Sequence, residues 1–228
     1  MNAIQQIEKK LIVSCQAPAD SPLHDPYVIS AMAKAAINQG AAGVRIDTPA
    51  HVKAVKERLG AGVPVIGLWK QLLPGYDVYI TPLFQDAKAI AEAGADIIAV
   101  DATLRNRPEK LEVLIKRIHD ELGLPVMADV DTIEAAMAAV DAGADLVGTT
   151  LYGYTADTKN FPPPGLDLLV QMVEKLYVPV ICEGGISRPV QAKQALDLGA
   201  YAVVVGGAIT GIDLLAKAYQ AALVKADE

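Results

Sequence analysis

The chain has 228 residues, 52% hydrophobic but only 5% aromatic, with a formal net charge of -7. That length buries a full core, and a single α/β catalytic domain over residues 1–228 is the expectation. The negative balance excludes a general surface for nucleic acid or anionic membrane, though not a local pocket for a small anion. The opening MNAIQQIEKK has no apolar stretch of signal-peptide length. No segment approaches the ~18 apolar residues of a membrane span. A cytoplasmic protein is therefore expected, with Cys15 and Cys182, each inside an apolar run, reduced and buried.

Taken in chain order, residues 2–10 read as an extra N-terminal helix against the bottom of the fold. Short apolar strands follow at about 11–16, 44–47, 65–69, 97–102, 126–130, 146–150, 180–183 and 202–206. Their punctuation repeats. Gly-Ala closes a helix before a strand at Gly40, Gly94, Gly143 and Gly199, about fifty residues apart. Pro64, Pro125 and Pro179 open strands in Val-Pro-Val or Leu-Pro-Val, where no ladder donor is needed. Between strands the spacing is helical: Leu111, Leu114, Ile115, Ile118 and Leu122 fall on one face. Eight strands alternating with helices, repeating in quarters, predict a (β/α)8 TIM barrel. A doubly wound open sheet is the alternative, but it has no reason to repeat in quarters.

In such a barrel the chemistry sits at the C-terminal strand ends. Those ends carry Gln16, Arg45, Asp47, Lys70, Asp101, Asp129, Asp131, Thr149, Thr150 and Glu183, then Gly206-Gly207. Any one of them reads first as a solvated residue opening a loop. A polar end on every strand is harder to dismiss, because together they line the mouth. Gly184-Gly185 after strand seven and Gly206-Gly207 after strand eight let backbone N–H groups approach a ligand, and Ser187 suits the N-cap of the next helix. Glycines are also ordinary in turns, but pairs at these two positions match the phosphate site of this fold.

None of His24, His51 and His119 lies at a strand end, so neither a histidine base nor a histidine-ligated metal is expected. Asp101, Asp129 and Asp131 do not cluster tightly enough in sequence to favour magnesium over no metal. Lys70, after Val65–Trp69, is expected to be partly desolvated, which favours its neutral, basic form. It also reads as a charge escaping to solvent. With Glu183 it offers two proton-transfer groups, and Gln16, Arg45 and Asp129 would orient a polar substrate. Such a set around a phosphosugar suggests proton abstraction beside a carbonyl.

With LIVSCQA, GVRI, VIGLWK, DVYITP, AGADIIAVDAT, MADVDT, GADLVGTTLYGYT, ICEGGI and VVVGGAIT, nearly the whole chain resembles the N-acetylmannosamine-6-phosphate 2-epimerase family. The resemblance implies catalytic Lys70 and Glu183. It implies substrate contacts from Gln16, Arg45 and Asp129, which strand-end Thr150 joins as a further substrate-binding candidate, and phosphate held at Gly184, Gly185, Gly206 and Gly207. It implies no metal and no cofactor, a phosphosugar substrate in amino-sugar or sialic-acid catabolism, and is compatible with a homodimer. The chain departs from the family's usual pattern at Gln71, Gly185, Gly211-Ile212 and Tyr152, which bears on phosphate and N-acyl recognition. Two other readings stay open here: a Schiff-base aldolase using Lys70, and a non-catalytic barrel that binds a phospholigand.

Overall fold

A computed structural model describes residues 2–223. Eight parallel strands close into one barrel in sequential order. They are β1 (Leu11–Cys15), β2 (Gly43–Asp47), β3 (Val65–Leu68), β4 (Ile97–Asp101), β5 (Val126–Asp129), β6 (Leu146–Gly148), β7 (Val180–Glu183) and β8 (Ala202–Val205). The eight predicted strands are all present, most of them a residue or two shorter at their C-terminal ends. The helices are α1 (Ala3–Gln6), α2 (Pro26–Asn38), α3 (Pro49–Leu59), α4 (Phe84–Glu92), α5 (Leu111–Arg117), α6 (Ile133–Asp141), α7 (Leu166–Lys175), α8 (Pro189–Asp197), α9 (Gly207–Thr210) and α10 (Ile212–Leu223). The face predicted from Leu111 to Leu122 is one continuous segment whose last turn, Ile118–Leu122, is π-helical.

Local chemistry explains the boundaries. The Asp25 carboxylate accepts from Val28 N–H with Pro26 at the first helical position of α2. The Thr132 hydroxyl does the same for α6 through Ala135 N–H. Each Gly-Ala glycine has a φ between +94° and +103°, the left-handed turn that ends a helix and feeds the next strand. The three strand-opening prolines give only carbonyls, to Val44, Ile98 and Val147 N–H.

Side-chain alternation builds two cores. Outward residues such as Val44, Ile46, Val126 and Cys182 pack against the helices, while Ile12, Ile66, Ile97, Met127, Leu146 and Ile181 fill the lower barrel. Both cysteines are buried and free, and burial pushes their thiols up to about 12 for Cys15 and about 11 for Cys182. The N-terminal helix is shorter than predicted, because the chain turns at Lys9 (φ +55°) to enter β1. It does lie under the barrel: Ile7 is fully buried, and Tyr201 Oη donates to the Ile4 carbonyl. Among the described residues no helix is long and apolar enough to cross a membrane.

Candidate active site

Above the apolar layers the barrel interior turns polar. Inward positions near the strand ends carry Arg45 on β2, Asp129 on β5 and Glu183 on β7, brought together although 84 and 138 residues separate Arg45 from its two partners. Arg45, 2% exposed, grips Asp129 with two parallel bonds, Nη1–Oδ1 2.9 Å and Nη2–Oδ2 2.6 Å. Its Nη1 also reaches Glu183 Oε2 at 2.7 Å. Thr150 Oγ1 lies 2.6 Å from Asp129 Oδ1 and 3.2 Å from Glu183 Oε2. Thr149 faces the other way and pins β6 to β7, accepting from Glu183 N–H and donating to Glu183 C=O.

One guanidinium between two carboxylates leaves a negative surplus in a dry place. Burial pushes the Glu183 carboxyl up to about 7, Asp129 pushes the same way, and Arg45 opposes. Burial would lower Arg45, but the two carboxylates outweigh it and it stays charged. Asp129 takes two bonds from Arg45 and the shorter bond from Thr150. Glu183 takes one bond from Arg45 and the longer one from Thr150, so Glu183 is the carboxyl of the pair whose proton affinity rises.

Lys70 stands across the mouth, with Nζ 2.5 Å from Gln16 Oε1, and Gln16 Nε2 donates to Ser14 Oγ. Burial lowers the lysine from its ordinary value, while Asp47, with Oδ2 3.9 Å away, raises it. The side chain is 45% exposed, so the desolvation expected from sequence is partial.

A cleft of about 830 Å³, within the range of small-molecule sites, is lined by Gln16, Arg45, Lys70, Thr150, Glu183, Gly184, Gly185, Gly206 and Gly207. Asp129 sits directly beneath, fully buried. All ten candidate site residues therefore share one locale. Other members of the predicted ring do not join it: Asp101 is held by Thr103 and Arg105, and Asp131 by Thr155. Ser187 is not the N-cap of α8. Pro189 takes the first helical position, so Arg188 is the cap residue, and Gln191 Oε1 accepts from both Ser187 and Arg188 N–H.

The glycines divide. Gly184 (φ +98°) and Gly185 (φ +68°) are required by the chain's own packing: an added Cβ would lie 3.0 Å from the Thr150 carbonyl oxygen and 2.5 Å from Pro163 Cβ respectively. At Gly207 a Cβ would meet nothing closer than Leu214 at 3.7 Å. The fold does not demand that glycine, which leaves close ligand approach as a reason for it. Tyr152 stacks on Phe161 at 5.9 Å and packs over Gly165, outside the cleft lining, whereas Leu151 and Tyr154 border it.

Sequence reasoning missed Tyr79, Ser14 and Tyr154, which also line the cleft. Tyr79 lies in a loop beyond β3 with no strand-end signal; its N–H is fixed by Asp101 Oδ2. Ser14 was findable by alternation, being two residues before Gln16 on an inward position.

Comparisons with known proteins place the chain in a family. Residues 29–225 match the family model described as "Putative N-acetylmannosamine-6-phosphate epimerase". A protein of Thermosynechococcus vestitus named "Putative N-acetylmannosamine-6-phosphate 2-epimerase" is 63% identical over 98% of this chain and 97% of its own. One of the same name from Synechococcus elongatus is 58% identical over 96% of both chains. The solved structure of the N-acetylmannosamine-6-phosphate 2-epimerase from Clostridium perfringens superposes with a TM-score of 0.93 at 38% identity, over 98% of this chain and 97% of that one. The chain belongs to the N-acetylmannosamine-6-phosphate epimerase family.

Proposed function

We propose that this protein is an isomerase that interconverts N-acetylmannosamine 6-phosphate and N-acetylglucosamine 6-phosphate, with Lys70 as principal acid/base. The observation that carries the reading is one cleft holding an amine that leans toward its neutral form and a carboxyl that leans toward its protonated form, on opposite walls. Family membership supports the substrate.

In the open-chain sugar, C2 lies beside the C1 aldehyde. Neutral Lys70 takes the C2 proton; the C–H electron pair moves into the C1–C2 bond, and charge collects on the C1 oxygen. Gln16 and Arg45, both in the cleft lining, would steady that charge. A proton returned to the other face of C2 gives the epimer. Glu183 assists in ring opening or in that return. Phosphate held at Gly184, Gly185, Gly206 and Gly207 would use binding energy from a non-reacting group to place C2 against Lys70. Amino-sugar or sialic-acid catabolism is the setting that fits this chemistry.

The test is turnover of N-acetylmannosamine 6-phosphate in D2O, where the gluco epimer is expected to form carrying deuterium at C2. Borohydride trapping of a substrate adduct on Lys70 would instead favour the aldolase. Tight binding with no exchange would favour a binding protein.

The reading includes a homodimer. Ile212, Leu214, Leu215, Tyr219 and Leu223 of α10 are 39% to 78% exposed, and an apolar groove lined by Leu11, Met32, Ala36 and Ile209 lies open beside the helix. Apolar surface of this kind is what partners cover. Light scattering is expected to return twice 24.0 kDa.

A further inference from the structure

Lys70 lies two residues beyond the end of β3, yet its main chain is fixed from two sides. Trp69 N–H donates to Thr81 Oγ1 at 3.1 Å and Thr81 N–H to the Trp69 carbonyl at 2.8 Å. Gln71 N–H donates to the Tyr79 carbonyl at 2.9 Å. The Lys70 N–H itself goes to a side chain. It donates to Asp47 Oδ1 at 3.0 Å, and the other oxygen of that carboxylate faces Nζ at 3.9 Å.

This cradle carries strain. Among the described residues only Lys9, Thr48 and Thr81 have positive φ without being glycine. Two of the three adjoin Lys70: Thr48 (φ +73°) directly follows Asp47, and Thr81 (φ +47°) pairs with Trp69. A β-branched residue takes such a conformation only where its surroundings over-determine it.

The surroundings are specific. Thr48 N–H donates to the Leu68 carbonyl, and Thr48 Oγ1 accepts from His51 N–H. The buried His51 ring meets the His24 ring edge-on, with centroids 4.6 Å apart. His24 Nδ1 in turn lies 3.1 Å from the carbonyl of Ala17, the residue after Gln16. The histidine pair thus lies against the residues that follow Gln16 and Asp47, Ala17 through its carbonyl and Thr48 through its hydroxyl.

We propose that Asp47 is a positioning residue for Lys70, holding its main chain and setting the pH at which its ammonium gives up a proton. The inference rests on the reading of Lys70 as acid/base. The charged groups facing Lys70 are Asp47 and Arg45 from β2, Asp129 from β5 and Glu183 from β7. Asp47 is the anion that most opposes the downward pull of burial and Arg45. Removing its charge moves Lys70 deprotonation to lower pH. An amide in its place keeps an oxygen for the Lys70 N–H, so a merely structural role would survive that change.

The experiment measures acetylation of Lys70 by mass spectrometry across pH in the wild type, Asp47→Asn and Asp47→Glu, beside the pH profile of deuterium exchange at C2. Circular dichroism checks the fold. Asp47→Asn is expected to move both the labelling midpoint and the acid limb of exchange to lower pH, and Asp47→Glu to return them toward wild type. A labelling midpoint that stays put in Asp47→Asn overturns the inference, whatever happens to the rate. A midpoint that moves while Lys70→Ala still exchanges deuterium supports the role of Asp47 and overturns Lys70 as the base.

Discussion

The lower and upper halves of the barrel interior occupy the same strands and obey the same alternation, yet they are built from opposite materials. Below lie Ile12, Ile66, Ile97, Met127, Leu146 and Ile181; above lie Arg45, Asp129 and Glu183. The apolar layers stabilise by burial alone. The polar layer takes a guanidinium and two carboxyl groups out of water and regains the loss only through paired bonds, so it is weak evidence for stability. The difference teaches where the molecule gives up stability for chemistry.

The largest effects break that contrast directly. Ile66→Ala in the lower layer is expected to cost about 2–5 kcal/mol by leaving a cavity. Arg45→Met should cost a similar ~3–5 kcal/mol, because Asp129 and Glu183 lose their partner. The two then diverge. Adding Asp129→Leu and Glu183→Met to Arg45→Met should restore folding in urea titrations while leaving no epimerase activity. A triple variant as unstable as the single one would mean that the ion cluster is itself a stabilising core.

A smaller effect follows from the carboxyl pushed up to about 7. A raised folded value means that the native state binds the proton more tightly than the unfolded chain. That stability is full below the ordinary glutamate range and is lost as pH rises through about 7. Glu183→Gln has no such loss. Its melting temperature should rise relative to wild type between pH 4 and pH 8, by an amount worth on the order of 1–3 kcal/mol. A gap that does not change with pH would place the proton elsewhere in the cluster.

The glycines sharpen the comparison at its rim. Gly185→Ala forces a side chain toward Pro163 at positive φ and should cost about 1–3 kcal/mol. Gly207→Ala should change stability by less than about 0.5 kcal/mol, yet raise KM for the phosphorylated sugar. An unchanged KM would remove Gly207 from the phosphate site.

Much of this was legible in the chain. The Gly-Ala turns at Gly40, Gly94, Gly143 and Gly199, with the prolines at 64, 125 and 179, mark local backbone requirements, and local requirements can be read locally. The strand ends likewise placed Lys70, Arg45 and Glu183 at the mouth. What was not legible depends on contacts between distant segments. Arg45 meets Asp129 and Glu183 only after barrel closure. Tyr79 reaches the cleft because Asp101 holds its N–H. Ser187 looked like a cap by residue type, and Pro189 shifted the helix start by one residue. The strained Thr48 has no glycine to announce it.

The measurement that tests the central claim most directly is a proton NMR time course of N-acetylmannosamine 6-phosphate in D2O, with the wild type beside folded Lys70→Ala. The wild type should produce the gluco epimer with deuterium at C2, and Lys70→Ala should slow that exchange by at least about a hundredfold. Exchange at the wild-type rate in Lys70→Ala would contradict Lys70 as the group that makes and breaks the C2–H bond.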